Sequence, residues 1–594
     1  MKKLCMLSLL ATVVVLQLQA VVIRVEGQKD FNSLMSLVNN AVSKGEKSIT
    51  VEFHPQGYYY FAENHLDITN RQWGGVSLTI HGNGATLASV GKNYSNGQAY
   101  LGVFSVDKGF VNFKHGDAPF WNNLLQADGQ IDVVNKQTKL CRLTSLDDID
   151  DLPANRCRNV YINVTQWFKS SVYKVNYIKD NEIYFTAGDL AFNQGRDCYS
   201  VNLDYGFGQK HPRFRLCNAS LAQKDLMSVA GNKIRTPQGI DSIHESYATR
   251  FLNISNSTLE KVSITGLQFV GNKNAKTALI QVASCKMDTF RISNCDFNAL
   301  QSTIVKADTT NNVVVDRCRF KDCYREGIYL TCCANAKVEN NSFDNMGLAI
   351  NNNFCIRVAG KNMKIANNEL KNYGYGGIAV GTWWGSPKRM QNTGVVENNL
   401  LYYTDDYMSQ WAKHSLMDSG AIYIYTQCDD IHVRYNFINN YNGAYLNRGI
   451  FCDDGALNFK IYSNIITNIT NSYSIDSRRS LGIETSAKTH TKVVNRNNYV
   501  YNNLVSAPIR LEGRDKNANC HLGTNIVLGK TNKVKQECSF VNLQSEGNFL
   551  NIDQWSVANK RLVIPRSREA VVRKMRDFKA IGRWIAVSKP KSGK

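Results

Sequence analysis

Beyond its first twenty residues the chain has no apolar run long enough to cross a bilayer. It has no heptad-like apolar stripe either, which excludes coiled coils and stacked helix pairs. Its 16 cysteines do not fall into CxxC pairs or framework spacings, so no zinc site is indicated. Acidic residues are outnumbered, 49 against 70 Lys and Arg, giving a net charge of +21. A basic balance favours encounters with polyanions, yet no nucleic-acid-binding motif is present, and nucleic acid is not an expected partner.

What is present begins with Lys2 and Lys3, an apolar run from Leu4 to Leu16, and Ala20 after Leu18 and Gln19. This is the pattern of a secretory signal. The expectation is export to the periplasm, cell surface or medium, with no transmembrane anchor after cleavage. For an exported basic protein the available polyanions are acidic polysaccharides and lipid headgroups.

A short cadence (apolar, two residues, Asn or Cys, one residue, apolar) recurs nine times. It reads Ile264/Leu267/Phe269 (with Leu in the Asn slot), Ile292/Cys295/Phe297, Val315/Cys318/Phe320, Val338/Asn341/Phe343, Ile365/Asn368/Leu370, Val396/Asn399/Leu401, Val433/Asn436/Ile438, Ile461/Asn464/Ile466 and Val494/Asn497/Tyr499. Successive starts are 28, 23, 23, 27, 31, 37, 28 and 33 residues apart, the range of solenoid repeats. The repeats are rich in Val, Ile, Tyr, Phe and Asn, so each is a coil of short strands. Stacked coils form parallel sheets whose inward side chains make one continuous core. The recurring Asn predicts a corner whose amide stacks on the next coil, with Cys295 and Cys318 as small fillers of the same slot. At the strand spacing, nine coils make a rod about 40 Å long.

Phe31, Leu34, Leu37, Val38 and Ala41 have helical spacing ahead of the strand Ile49 to Phe53, which predicts a helical cap over the first coil. From about 105 to 250 the cadence is lost and segments alternate like antiparallel strands, predicting an inserted β-subdomain; its Cys141, Cys157, Cys198 and Cys217 are the best disulfide candidates. The sequence therefore divides into a signal (1–20), cap and opening coils (21–104), the insertion (105–250), a parallel β-helix with an active-site groove (251–550) and a basic, helix-prone tail (551–594).

Against a coil of 23 residues, those ending at Val396, Val433 and Val494 carry roughly eight to fourteen extra residues, and long loops on a rigid rod are where clefts are built. One such loop contains Trp383 and Trp384; another contains Trp411, His414 and Asp418. Aromatic faces stack on the apolar faces of sugar rings. Counting back from the cadence aligns Ile328-Tyr329-Leu330-Thr331, Ile422-Tyr423-Ile424-Tyr425, Ile450-Phe451-Cys452-Asp453 and Ile483-Glu484-Thr485-Ser486. With each Ile inward, Tyr423, Phe451 and Glu484 share one outward column, Tyr425 and Asp453 the next, and Arg357 falls in the Tyr329 column. Asp453 and Glu484 become diagonal neighbours at about 7–8 Å, a separation that suits acid and base, or acid and nucleophile, at a glycosidic carbon. Asp454 and Asp418 complete the acid pool, although Asp453 and Asp454 could instead bond the turn at Gly455. Trp383, Trp384, Trp411, His414, Tyr423, Tyr425 and Arg357 are the candidate sugar-binding residues.

Two segments, Gly420-Ala421-Ile422-Tyr423 followed by Val433 to Asn440, and Gly449-Ile450-Phe451-Cys452-Asp453-Asp454-Gly455 followed by Ile461 to Asn464, resemble exported right-handed parallel β-helix glycoside hydrolases. That broad group includes β-helix xylosidases and α-fucosidases of polysaccharide-degrading bacteria. The resemblance implies a right-handed β-helix, hydrolysis of a polysaccharide or its fragments without a metal or other cofactor, and Asp453 or Asp454 as a catalytic residue with Asp418 as the second carboxylate. Phe451 and Cys452 stand where the family has Tyr and Leu. The Gly-His-Gly and Arg-Ile-Lys signatures of polygalacturonases are missing. Two other readings remain open. A polysaccharide lyase would neutralise a uronate with Ca²⁺ or with an arginine such as Arg357, Arg448, Arg478, Arg479 or Arg510, and a non-catalytic glycan-binding solenoid would need no paired carboxylates.

Overall fold

The cadence marks the corner at which one strand of a coil passes into the next. The computed structural model describes residues 20–93 and 250–511 with interruptions, of which 408–418 and 478–496 are the longest, together with strands between 104 and 246 and short stretches from 520 to 562. In it the coils build a right-handed parallel β-helix of three sheets. Sheet A has 13 strands, from Val21–Val25 to Cys520–Leu522. Sheet B has 12, from Tyr58–Tyr60 to Ile526–Val527, and sheet C has 11, from Leu66–Thr69 to Ile509–Leu511.

At the corner from sheet A to sheet B a residue in the left-handed region, such as Asn367 (φ 58°) or Asn398 (φ 56°), precedes a fully buried Asn. Asn tolerates this region better than most residues. The amides form a ladder through Asn341, Asn368, Asn399, Asn436, Asn464 and Asn503, all buried, to the partly buried Asn525. From Asn368 onward the oxygen accepts from the neighbouring coil's side-chain and backbone N–H, as Asn436 Oδ1 does from Asn399 at 2.9 and 3.1 Å. Its Nδ2 donates to a backbone carbonyl, so a polar column runs through an apolar core with its groups paired. Cys318 donates its backbone N–H to Asn341 Oδ1 at 2.9 Å, and Cys318 and Cys295 fill the preceding slots as buried thiols.

The ladder corrects the last repeat. Asn497 is not a rung; it lies at the corner from sheet C to sheet A, where its Nδ2 donates to Asn458 Oδ1 at 3.0 Å. The corner of that coil is Val500/Asn503/Val505, and a further one follows at Leu522/Asn525/Val527, both with the same spacing. The last apolar member of the cadence points inward in sheet B, where Phe269, Phe297, Phe320 and Phe343 stack nearly parallel at 5.1, 4.8 and 4.5 Å.

The first strand, Val21–Val25, precedes the cap rather than following it, and pairs in parallel with Ser48–Phe53. Helices α1 (Gln28–Asn32) and α2 (Leu34–Ser43) lie between the two. Phe31, Leu34, Val38 and Ala41 are buried, whereas Leu37 is 36% exposed. Ser77–His81 pairs directly with Lys261–Thr265, so sheet A continues without a break across the intervening chain. Within that chain six antiparallel strands, from Gln126–Asn135 to Arg213–Cys217, close a barrel. Cys141 there is buried, and Cys333 is a buried free thiol. Cys157, Cys198, residues 1–19 and the tail arginines lie outside the described residues. Among the described residues no helix is long and apolar enough to cross a membrane.

Candidate active site

Sheet C carries an inward column, Val305, Ile328, Ile356, Ile378, Ile422, Ile450, Ile475 and Ile509, in direct register from coil to coil and buried throughout. One residue on, the alternation of a strand produces the outward column Lys306, Tyr329, Arg357, Ala379, Tyr423, Phe451, Asp476 and Arg510. The outer face of this sheet is therefore aromatic and charged, while the face behind it is aliphatic.

The strand Gly376–Val380 is deliberately small at its outward positions. A Cβ on Gly376 would lie 2.3 Å from the Phe354 ring, so glycine is what admits that ring. Phe354 then packs edge-on against Tyr375 and Tyr423, at 5.2 and 5.3 Å between centroids, and Phe451 closes the cluster on the next coil at 5.1 Å from Tyr423. Arg357 reaches across the Ala379 coil. Its guanidinium lies 4.9 Å from the Tyr329 ring and 5.1 Å from that of Tyr425, a cation held between two π faces.

Asp453 follows this column at the end of the strand Asn447–Cys452. Its backbone N–H donates to Ile424 O at 3.0 Å, and its carbonyl accepts from Ala456 N–H at 3.0 Å, closing the turn. Its half-buried carboxylate accepts at Oδ2 a hydrogen bond from the Tyr423 hydroxyl of the preceding coil.

Register overturns one expectation. The strand stacked on Ile450–Phe451–Cys452 is Ile475–Asp476–Ser477, not Ile483–Glu484. The carboxylate beside Phe451 is therefore Asp476. It is fully buried between two arginines: Oδ2 is 2.5 Å from Arg448 Nε and 2.7 Å from Arg510 Nη2, and Oδ1 is 2.6 Å from Arg510 Nε. Arg448, also without exposure, lies 3.9 Å from the Phe451 ring centroid, and Arg510 stacks on Tyr473 at 4.3 Å. Asp476 is an anchor for two cations rather than half of an acid and base pair with Asp453.

Of the sequence-derived candidates, the structure brings together Asp453, Tyr423, Tyr425 and Arg357. Trp383, Trp384, Trp411, His414, Asp418, Asp454 and Glu484 lie outside the described residues. Sequence reasoning missed Asp476, Phe354 and Tyr375. Asp476 was signalled by Ile475-Asp476, which repeats the inward-outward step of Ile450-Phe451. His432 belongs to sheet A, half-buried against Asp430 and Tyr462 at 3.1 and 3.2 Å; burial lowers its pKa. Among the described residues no three His, Cys, Asp or Glu side chains are grouped so as to hold a metal ion.

Residues 242–388 match the model of the right-handed beta helix region. A solved structure titled glycoside hydrolase is similar over 82% of this chain and 96% of its own, at 12% identity and a TM-score of 0.56, which extends the likeness of fold to most of the chain. A structure of XylC in complex with xylose aligns over 81% of each chain at 9% identity and a TM-score of 0.36. That of the periplasmic alginate epimerase AlgG aligns over 47% of this chain and 61% of its own, at 11% identity and 0.30. No curated protein matches the chain by sequence.

Proposed function

We propose that this right-handed parallel β-helix protein is an exported glycoside hydrolase acting on a polysaccharide or its oligosaccharides at the outer face of sheet C, with Asp453 as one catalytic carboxyl group. The observation that carries this reading is the Asp453 side chain itself, half-buried, hydrogen-bonded by Tyr423 of the neighbouring coil and bordered by an aromatic and arginine-bearing surface. A phenol hydroxyl on one carboxylate oxygen fixes the orientation of the group, which as a whole supplies the acid or base that acts on a glycosidic oxygen or a water. Tyr425, in the row beside it, supplies a ring for a sugar face. Asp418, immediately before the strand Ser419–Ile424, and Asp454, next to Asp453, are the candidates for the second carboxyl group.

One observation favours a lyase as the second reading: Arg357 held between Tyr329 and Tyr425 could neutralise a uronate. Mass spectrometry of products from neutral and acidic polysaccharides separates the two, since hydrolysis adds a water to each cleaved bond and elimination leaves an unsaturated uronate. The hydrolase reading expects hydrated products, and at least about a hundredfold loss of turnover in Asp453→Asn. Full turnover in that variant, or unsaturated products, would overturn it. Binding of glycan with no product from any polysaccharide would leave a non-catalytic solenoid.

A further inference from the structure

The outward column of sheet C continues from the Asp453 region toward the N-terminal coils, and there it changes character. Tyr329 receives a cation on each side: Arg357 at 4.9 Å and Lys306, one coil earlier, at 5.6 Å from the ring centroid. Lys306, Tyr329, Arg357 and Tyr425 are each half-buried, so this row is neither core nor freely waving surface. Asp308, on the same face, accepts hydrogen bonds from Thr331 Oγ1 at 3.1 Å and Thr309 Oγ1 at 3.1 Å.

A guanidinium whose two faces are covered by rings presents its N–H groups only at its edge, in one plane. That is the geometry which meets a carboxylate or sulfate with two parallel hydrogen bonds, and it loses less side-chain entropy on binding than a mobile arginine does. Covered faces also lower the local dielectric, which strengthens the attraction for an anion. Ala379 is essential to this arrangement: any longer side chain between Arg357 and Tyr423 would occupy the space through which Arg357 reaches Tyr425. Lys306 stands two strand spacings from Arg357, about 10 Å along the rod, a second positive point in line with the first.

We infer that Arg357 is a specificity-determining residue that binds the carboxylate or sulfate of an anionic sugar next to Asp453, with Lys306 engaging a second negative group further along the same glycan. This deepens the proposed function and rests on the reading of sheet C as a glycan site. The two acid groups differ in source but share a pair of neighbouring anionic oxygens that a guanidinium fork can meet.

The test uses the full-length protein carrying Asp453→Asn, so that ligands stay intact, and titrates it calorimetrically with three oligosaccharides of equal length: an oligouronate, a sulfated oligosaccharide and a neutral one. The expected result is at least about tenfold tighter binding of one anionic ligand than of the neutral one, with a preference that shrinks as salt rises. Adding Arg357→Gln should abolish that preference; Arg357→Lys should restore only part of it, because an ammonium lacks the fork. Lys306→Gln, a change at a half-exposed position that spares the cation between the rings, should weaken the anionic ligand several-fold and leave the neutral one unchanged. Whichever anion prefers the parent identifies carboxylate or sulfate as the group read. Equal binding of neutral and anionic ligands, no binding of any of them, or an unchanged preference in Arg357→Gln would overturn the inference. Product formation from neutral glycans alone would overturn it and keep the hydrolase; charge-selective binding without turnover of any glycan in the Asp453 parent would do the reverse.

Discussion

Arg448 Nε lies 2.5 Å from Asp476 Oδ2, and neither side chain reaches solvent. Arg510 completes the set from the following coil, with 17% of its side chain exposed. The three tie together consecutive strands of sheet C on the face that carries Asp453. An ion pair so placed contributes little net stability relative to a well-packed apolar pair, but removing one member leaves an uncompensated buried charge.

Asp476→Ala should therefore lower the unfolding free energy by about 3–5 kcal/mol, whereas Arg510→Gln, at the exposed end, should cost distinctly less. Urea unfolding midpoints of the two variants provide the comparison. Equal costs would mean that the charges are not anchored as a buried set.

Asn436 sits in the middle of the amide ladder, accepting from Asn399 and donating to Val396 O and Asn464 Oδ1. Asn436→Ala removes these bonds and strands the backbone N–H of Asn399 in the core. The expected loss is about 2–4 kcal/mol, read as a lower urea midpoint, and it should exceed that of Asn525→Ala at the far end, where the ladder's last rung is only partly buried.

Gly376→Ala should disturb the site from beneath. The added methyl meets the Phe354 ring at 2.3 Å and the backbone oxygen of Gly420 at 2.9 Å, and only the ring can yield. Overpacking of this kind costs about 1–3 kcal/mol. Displacement of Phe354 removes the support of Tyr423 and Tyr425, so the near-UV circular dichroism of the aromatic cluster should weaken and turnover should fall by more than the loss of folded protein explains.

Asp322 gives the protein a pH dependence of defined sign. Burial pushes its carboxyl group up to about 6 from 3.8, although Asn345 Nδ2 donates to it at 2.7 Å. The folded chain holds this proton more tightly than the unfolded one. The resulting stability is fully present below about 3.8 and is lost as pH rises to about 6, a total of about 3 kcal/mol. Asp322→Asn should remain uncharged throughout. Its melting temperature should gain on the parent between those two pH values and keep a constant lead above them; a lead that does not vary with pH would contradict the assignment.

The coil architecture was legible because the cadence records a physical necessity, an apolar residue on each side of a corner and a small amide or thiol within it. It slipped at Asn497 because left-handed corners elsewhere in the coil also favour Asn, and the run Asn495 to Asn503 offers two frames with the same spacing. Register at the site was less legible. Counting back from each cadence worked at Ile422 and Ile450, both 11 residues before the next cadence, and placed Arg357 in its column. It failed at Glu484 because residues 478–496 separate the strand Ile475–Ser477 from its following strand in sheet A, so the count ended within that segment. The ring of Phe354 over Gly376 had no sequence signal, since contact across two coils leaves no periodic trace.

The direct pairing of Ser77–His81 with Lys261–Thr265 also bears on how the chain reaches its folded state. Elsewhere in the rod a new coil closes a loop of some two dozen to three dozen residues, but at this joint partners such as Gly84 and Gln268 are 184 apart. Closing the longer loop costs about 1.5–2 kcal/mol more in chain entropy, and contacts of such high separation form slowly. Assembly is expected to start among the coils after residue 250, zip along them one turn at a time, and seat the amino-terminal coils and their helices as a late, separate event.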